Sequence, residues 1–508
     1  MAHIHIVDMP CGYGKSSRIV SSFDKREKYI AVVPYLSEVK RFISDAQEKS
    51  KMILTEPVSG SSNKSDHCEK LLRAGKSIAT THAMFYRLGT LATFSTGAAR
   101  CVAFEPGTVP SVEVEHLLDG YNLIIDEVIN PFELDQTVRS VDFDQDYLDM
   151  GLVEVHADGR VVPTPAWDLK YFQGSKTFSP ALYEKAKSGG LYRLEEKLFV
   201  LTIPIELLLK PKSVTIYTYL SEGSLLLKFL RKVQQDRPGL FSLTVEYIGQ
   251  AEEAAWREDV ANALTVLSIP GLEEQLWNYT AQLKGIKKHS ECASIGHELR
   301  KFKDGELEGV NLNSVMLTCA RDLWHDNRSG QKPAAGRLAK HTRMFGRAVK
   351  EEDFDHETER YVDKWSTNGV RFVPNTTRGT NDHAGCTHAV YLYDQHPNPQ
   401  LLTFLGMARN SQDAYQFCDA YALTELVQWL FRSAIRVGGL NSTGRQYKPR
   451  RRVTVYIPSQ RMRNLLLNWL LSGKVNSGSV NPTGLLQTEL LARVEGRPMP
   501  TYSECLEI

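Results

Sequence analysis

HIHIVDMPCGYGKSSRIVSSF, residues 3–23, passes from an apolar run through a glycine-bearing turn into a helix-like segment. Gly12, Tyr13, Gly14, Lys15, Ser16 and Ser17 occupy the turn. Glycines let backbone amides approach phosphate oxygens, and a helix N-terminus favours negative charge. A lysine at this place reaches the β and γ phosphates, and the serine after it is a magnesium ligand. Met9 stands where GxxxxGK[ST] has its first glycine, but the strand before the turn and the helix after it supply the context this chemistry needs. The turn reads as a phosphate cradle for a nucleoside triphosphate.

Working outward, YIAVVPYL (29–36) is a second apolar strand, SEVKRFISDAQEK (37–49) a helix, and SIATTH (77–82) a short strand. LLDGYNLIIDEV (117–128) is a continuous apolar strand ending in Asp126 and Glu127, more than 100 residues after Lys15. Strand and helix alternate, which is the α/β rhythm, and continuously apolar strands suit a parallel sheet buried on both faces. Two carboxylates at a strand end also describe an ordinary solvated edge. Beside a phosphate loop they become a candidate pair, with Asp126 holding magnesium through water and Glu127 acting as general base on the attacking water.

Residues 131–205 break any helical period with VVPTPAW, FQGSKTFSP and KSGGLY, and read as an irregular insertion. SVTIYTYL and a helix from Leu225 close the first domain, at 1–235. Residues 236–305 read as a linker or accessory helical segment. A second α/β rhythm fills 306–465: NSVMLTCA, the helix-like RDLWHDNRSGQKPAAGRLAKHT, GVRFVPN, HAVYLYD, a long helix from Asp413 to Arg436, and RRVTVYIP. Residues 466–508 remain as a C-terminal extension.

Composition bounds the function classes. Over 508 residues, 42% hydrophobic and 24% charged residues match ordinary globular chains and exclude a mainly disordered or coiled-coil protein. The formal charge of +1 provides no chain-wide field for polyanions, so nucleic-acid contact would depend on local clusters. The longest apolar stretch, LFVLTIPIELLL from Leu198, falls short of a bilayer span, and MAHIHIVDMPCG lacks the form of a secretion signal. The expectation is a cytoplasmic protein with no membrane contact. Eight dispersed cysteines without a CxxC pair read as free thiols. His383, Cys386 and His388 form an H-x2-C-x-H cluster without an obvious fourth metal ligand.

Further segments then follow in a recognisable order. VVPYLSEVKR from Val32, ATTHAMF from Ala79, TIYTYLSE with Thr218 and Ser221, SVMLTCAR from Ser314, NTTRGTNDHAGCTHAVYLYD from Asn375, and QWLFRSAIR with Gln428, Arg432 and Arg436 follow one another along the chain. With the phosphate loop and the DEVI box, this series resembles the superfamily 2 helicases. The resemblance covers about residues 4–225 and 305–460. It implies an α/β fold of two tandem RecA-like P-loop domains with parallel sheets, an insertion in the first and a short C-terminal extension. It also implies ATP and Mg2+ as cofactors.

By the same resemblance, Pro34, Thr80, Thr81, His82, Thr376 and Thr377 are expected at the nucleic acid, and Gly379 and Asn381 at the nucleotide. Gln428, Arg432 and Arg436 are expected to serve catalysis, one arginine approaching the γ phosphate as a finger. The gap of four between the arginines reads as one helical turn, so either can be the finger. The DEVI box fits neither DEAD nor DEAH, and an adenine-reading motif before His3 is not expected.

GRQYKPRRR from Gly444 adds Arg450, Arg451 and Arg452 as candidate phosphate contacts beside Tyr447. The expectation is a helicase or translocase on DNA, with RNA as the second candidate, phage-like in its compactness. It would be a monomer or weak oligomer, with replication or repair proteins as potential partners. Two rivals are a terminase-type DNA-packaging ATPase and a nucleic-acid-binding factor that uses nucleotide as a switch without turnover.

Overall fold

The computed structural model describes residues 2–59, 63–94, 99–102, 111–114, 117–134, 140–172, 178–195, 197–201, 203–326, 332–355, 360–377, 379, 381–440 and 447–478. The chain divides into two compact units. The first comprises Met1–Asp8, Gly14–Thr218 and Leu225–Glu246; the second comprises Met9–Tyr13, Tyr219–Ser224 and Tyr247–Ile508. Both are α/β and built on parallel strands, as the alternation of apolar runs and amphipathic segments predicts.

In the first unit β1 (Ala2–Asp8) leads through the glycine turn into α1 (Lys15–Ser21). There follow β2 (Lys28–Val33), α2 (Leu36–Lys49), β3 (Ile78–Thr81), α3 (His82–Phe94), β4 (Tyr121–Asp126), β5 (Ser213–Thr218), α4 (Leu225–Asp236) and β6 (Phe241–Tyr247). The six strands lie in the order β6-β1-β5-β4-β2-β3, and every pair from β1 to β3 is parallel. Five of the six residues of β2 are buried, as befits a strand covered on both faces. Register brings the strand ends level: Asp8 faces Thr218, and Tyr217 faces Asp126. β5 thus separates the glycine turn from the carboxylate strand by one strand width.

The insertion is more ordered than its Pro, Gly and Ser punctuation predicts. Phe132–Leu134, Lys197–Leu201 and Leu191–Leu194 form an antiparallel sheet, and Val153–Val155 pairs with Val161–Pro163. Phe143, Tyr147, Trp167, Leu182, Tyr183 and Leu191 make a separate small core between short helices. The punctuating residues mark the ends of short elements, each too brief to register as a period.

The second unit carries α5 (Glu253–Ala263), β7 (Leu264–Leu267), α6 (Tyr279–Lys287), α7 (His289–Gly305), β8 (Val315–Thr318), β9 (Arg371–Phe372), β10 (His388–Tyr391), α8 (Gln412–Leu430), β11 (Val453–Tyr456) and α9 (Gln460–Ser472). Its five-stranded sheet runs β7-β11-β10-β8-β9, parallel throughout. Strand alternation divides the core: Met316, Ala389 and Tyr391 pack on one face with α5, α8 and α9, while Val315, Leu317 and Val390 pack on the other with α7. From Ala422 to Leu430 every residue of α8 is buried, so this helix is a core element on all sides.

The boundaries differ from the sequence reading in three places. Residues 236–305 supply β6 to the first sheet and β7 to the second, so they are parts of two domains and not a linker. Position 466 falls inside α9, whose Leu465, Leu466, Trp469 and Leu470 belong to the core. Of the helix expected over 321–342, the described residues are helical at Arg321–Trp324 and Ala339–Thr342. Among the described residues no helix is long and apolar enough to cross a membrane.

Candidate active site

The glycine turn forms as its residue types require. Gly12 and Gly14 have φ of 85° and 79°, the left-handed region open to glycine, and Gly14 caps α1. Lys15 and Ser16 follow at once, both facing the carboxyl end of β4. Lys15 Nζ lies 3.4 Å from Glu127 Oε1, with side-chain exposures of only 10% and 8%. Ser16 Oγ donates to Asp126 Oδ2 at 3.0 Å. The two pairs that the sequence separates by more than 100 residues therefore meet in one pocket of charge.

Glu127 takes φ 69°, a conformation that costs a non-glycine residue about 1–3 kcal/mol. Its N–H donates to the carbonyl of Tyr217 on β5 at 3.0 Å, which pins the turn. Burial, and then the charge of Glu127, push the Asp126 carboxyl up to about 6, while Lys15, the Ser16 hydroxyl and Arg41 pull it back. A carboxylate in this setting is short of positive charge. A serine hydroxyl and a carboxylate oxygen side by side are the hard oxygen donors that Mg2+ takes, and the adjacent lysine and loop amides suit phosphate oxygens. The donor set fits the nucleotide and the cation that the sequence implies.

Two further residues belong to this cluster: Arg41, which sequence reasoning passed over, and His82, which it assigned elsewhere. Arg41 on α2 reaches Ser16 Oγ with Nη2 at 3.5 Å, and is itself held by Glu38 and by Asp45 at 3.4 Å. Its signal was the Glu-x-x-Arg spacing that puts Glu38 and Arg41 on one helical face. His82 places Nε2 3.0 Å from the carbonyl oxygen of Asp126, so it braces the carboxylate strand, whereas the sequence reading sent it to nucleic acid. Lys49 Nζ donates to Ser17 Oγ at 3.2 Å.

The other predicted residues fall in varied places. Thr80 is 1% exposed in β3, where its side chain is packed in the core. Thr81 Oγ1 accepts from Met84 N at 3.3 Å and starts α3, and Pro34 is half-buried at the end of β2. Tyr13 packs its ring edge-on against Trp256, 6.3 Å between centroids, so its side chain is a packing group. Thr376 is exposed, Thr377 buried, Gly379 at φ 76°, and Asn381 exposed. Arg378 and Thr380, inside the same motif, lie outside the described residues.

Gln428 and the arginines also depart from expectation. Gln428 is 2% exposed and donates Nε2 to the Tyr219 carbonyl at 3.1 Å, a packing role in the second unit. There the segment after β5 lies hard against α8: a Cβ on Gly223 would come within 2.3 Å of the Ala420 carbonyl oxygen. Because α8 stops at Leu430, Arg432 and Arg436 are not one helical turn apart. Arg432 is 2% exposed, and Arg436 is half-buried in the 3-10 turn Ala434–Arg436. Arg450, Arg451 and Arg452 are exposed in front of β11, while the start of that basic run, 441–446, lies outside the described residues.

Comparison with known proteins adds relatives at a distance. A family profile described as the YonV C-terminal Rossmann-like domain matches residues 280–470, inside the second unit. The SPbeta prophage-derived uncharacterized protein YonV of Bacillus subtilis (strain 168) is 22% identical over 488 residues, spanning 92% of this chain and 99% of that protein. Among solved structures, S. tokodaii Xpd4 is similar over 92% of this chain and 94% of its own, at 11% identity and a TM-score of 0.43. Mss116p bound to ssRNA and AMP-PNP is similar over 97% of this chain and 74% of its own, at 10% identity and a TM-score of 0.34. Superpositions this loose carry no argument about the site.

Proposed function

We propose that this chain is an ATP hydrolase of the superfamily 2 helicase type, coupling turnover to movement on, or remodelling of, nucleic acid. The observation that carries the reading is the convergence of Lys15, Ser16, Asp126 and Glu127 at the level ends of parallel strands. The order of the sequence motifs supports a motor, and the prophage-derived relative supports a phage-type source. DNA is the first candidate track and RNA the second.

In this reading Gly12, Gly14 and Lys15 hold the triphosphate, and Ser16 and Asp126 hold Mg2+. Bound there, Mg2+ and ATP supply the phosphoanhydride bond and the charge neutralisation that its cleavage needs. The chain's own residues do the rest. Lys15 is paired with Glu127; with the lysine engaged by a phosphate, Glu127 would be left to accept a proton from the attacking water, as a general base requires. The buried setting strengthens each of these charge effects. Arg432 and Arg436 are the candidates for stabilising transition-state charge.

Steady-state ATP hydrolysis by the purified protein, alone and with single-stranded DNA, duplex DNA and RNA, tests the reading beside a Glu127→Gln control. The expected result is stimulation by one polymer and a collapse of turnover in the variant, with ATP still bound. Turnover indifferent to all polymers would point to an ATPase coupled to protein, and none at all to a nucleotide switch.

A further inference from the structure

The second sheet has its own place for a ligand. In chain order β8 runs to the edge strand β9, and the chain then returns across β8 to β10 and β11, so the winding reverses between β8 and β10. In open parallel sheets, ligands bind in the crevice outside the carboxyl ends of the strands at such a reversal. A cavity of about 690 Å³ lies there, within the range of small-ligand pockets, walled by the loop from Tyr393 to Pro399 after β10, by Asn375 after β9, and by the start of α6.

The cavity is built and not incidental. Gln282 on α6, 5% exposed, donates Nε2 to the Leu392 carbonyl at 2.9 Å and accepts from Ala320 N at 2.8 Å, so it fastens α6 across the ends of both β10 and β8. Asn375 Nδ2 donates to Gln395 Oε1 at 2.9 Å, tying the loop after β9 to the loop after β10. The two loops and the helix therefore hold one shape.

Its chemistry selects the ligand class. Among the described residues the lining includes neither lysine nor arginine, and its carboxylate, Asp394, is paired with Arg461 at 2.7 Å and lies 3.4 Å from His396 Nε2, so the cavity carries no fixed cation for phosphate and no net acid for a cation. The exposed ring of Tyr279 supplies flat apolar area, with the buried Tyr393 forming part of the wall behind it. Asn278 and Asn398 spend their carbonyl oxygens on the helices behind them, accepting from Ala281 N and Gln400 N at 2.9 Å each, which leaves their NH2 groups as donors beside the carboxylate acceptor. Aromatic faces with amide donors and a carboxylate acceptor are the equipment for reading the edge of an unstacked base.

We infer that this cavity of the second unit binds a single nucleobase, presented by a nucleic-acid strand or by a free nucleoside. A strand as the source rests on the function proposed above; the pocket does not, since all its residues lie in the second unit.

Cys418 lines the cavity and is partly exposed, whereas the other cysteines whose burial is described are buried, so its thiol reports occupancy. The experiment is iodoacetamide alkylation of the full chain, followed at the Cys418 peptide by mass spectrometry. The probes are the four ribonucleosides, inorganic phosphate, a thymidine oligonucleotide and an abasic oligonucleotide of equal length.

The expected result is alkylation slowed at least threefold by a nucleoside, or by the thymidine oligonucleotide and not the abasic one. The protection should be lost in Asn278→Ala and in Tyr279→Ala, each with an unchanged circular dichroism spectrum, and kept in Lys15→Ala, which separates this site from the hydrolytic one. Equal protection by the abasic oligonucleotide or by phosphate, or protection by none of the probes, overturns the inference.

Discussion

The carboxyl ends of the two parallel sheets occupy the same architectural place and carry opposite chemistry. In the first unit a lysine, two carboxylates and a serine hydroxyl crowd together in near-complete burial, with Arg41 behind them. In the second, rings and amides surround a carboxylate that Arg461 has already neutralised. A parallel sheet supplies a crevice; the side chains at its strand ends decide whether that crevice takes a polyanion with its metal or a neutral ring.

Lys15→Ala is the strongest way to break the contrast. Loss of the lysine should lower hydrolysis on the order of 1,000-fold, the scale of removing a preorganised electrostatic group, with thermal unfolding little changed. Turnover within tenfold of the parent would remove the phosphate reading of the first crevice. Next in size, Arg432→Ala should lower turnover on the order of 100-fold while nucleotide affinity, measured by titration calorimetry, moves less than threefold. If instead Arg436→Ala has that effect, the finger is Arg436.

Asp126 gives a sharper test through pH. Its folded carboxyl sits at about 6 against an ordinary 3.8, so between those values the native state binds the extra proton and stability falls as pH rises. A carboxyl raised that far weakens the fold by roughly 3 kcal/mol at most once the pH is above both values. Without nucleotide or magnesium, Asp126→Asn should therefore unfold at higher denaturant than the parent at pH 7.5, and the gap should close near pH 4. A variant less stable at both pH values would mean that Asp126 is held ionised by its neighbours.

The smallest effect belongs to the exposed run before β11. Neutralising Arg450, Arg451 and Arg452 should reduce the slope of log affinity against log salt by about 2–3 if all three meet phosphates. An unchanged slope would make them a solvated loop.

How much of this was legible follows from the range of each signal. LIIDEV declared itself because a strand buried on both faces is apolar at consecutive positions, and its polar end then stands out. Thr80 did not: in a four-residue strand covered on both sides, alternation says nothing about which hydroxyl is buried. Tyr13 looked like part of the cradle from its neighbours, yet its ring belongs to a core with Trp256, more than 200 residues away. The insertion hid its small core because Phe143, Trp167 and Tyr183 lie on separate short elements.

By itself the sequence determined the α/β class, the glycine turn between strand and helix and the carboxylate pair, because each is written in contiguous residues whose backbone and charge requirements are local. Only the tertiary structure decided that β5 lies between β1 and β4, that Arg41 reaches the Ser16 hydroxyl and His82 the backbone carbonyl of Asp126, that Arg432 is buried past the end of α8, and that Gln282 closes the second crevice. Strand order and side-chain reach depend on which distant segments pack together, and that is settled by burial of whole faces and not by the residues on either side.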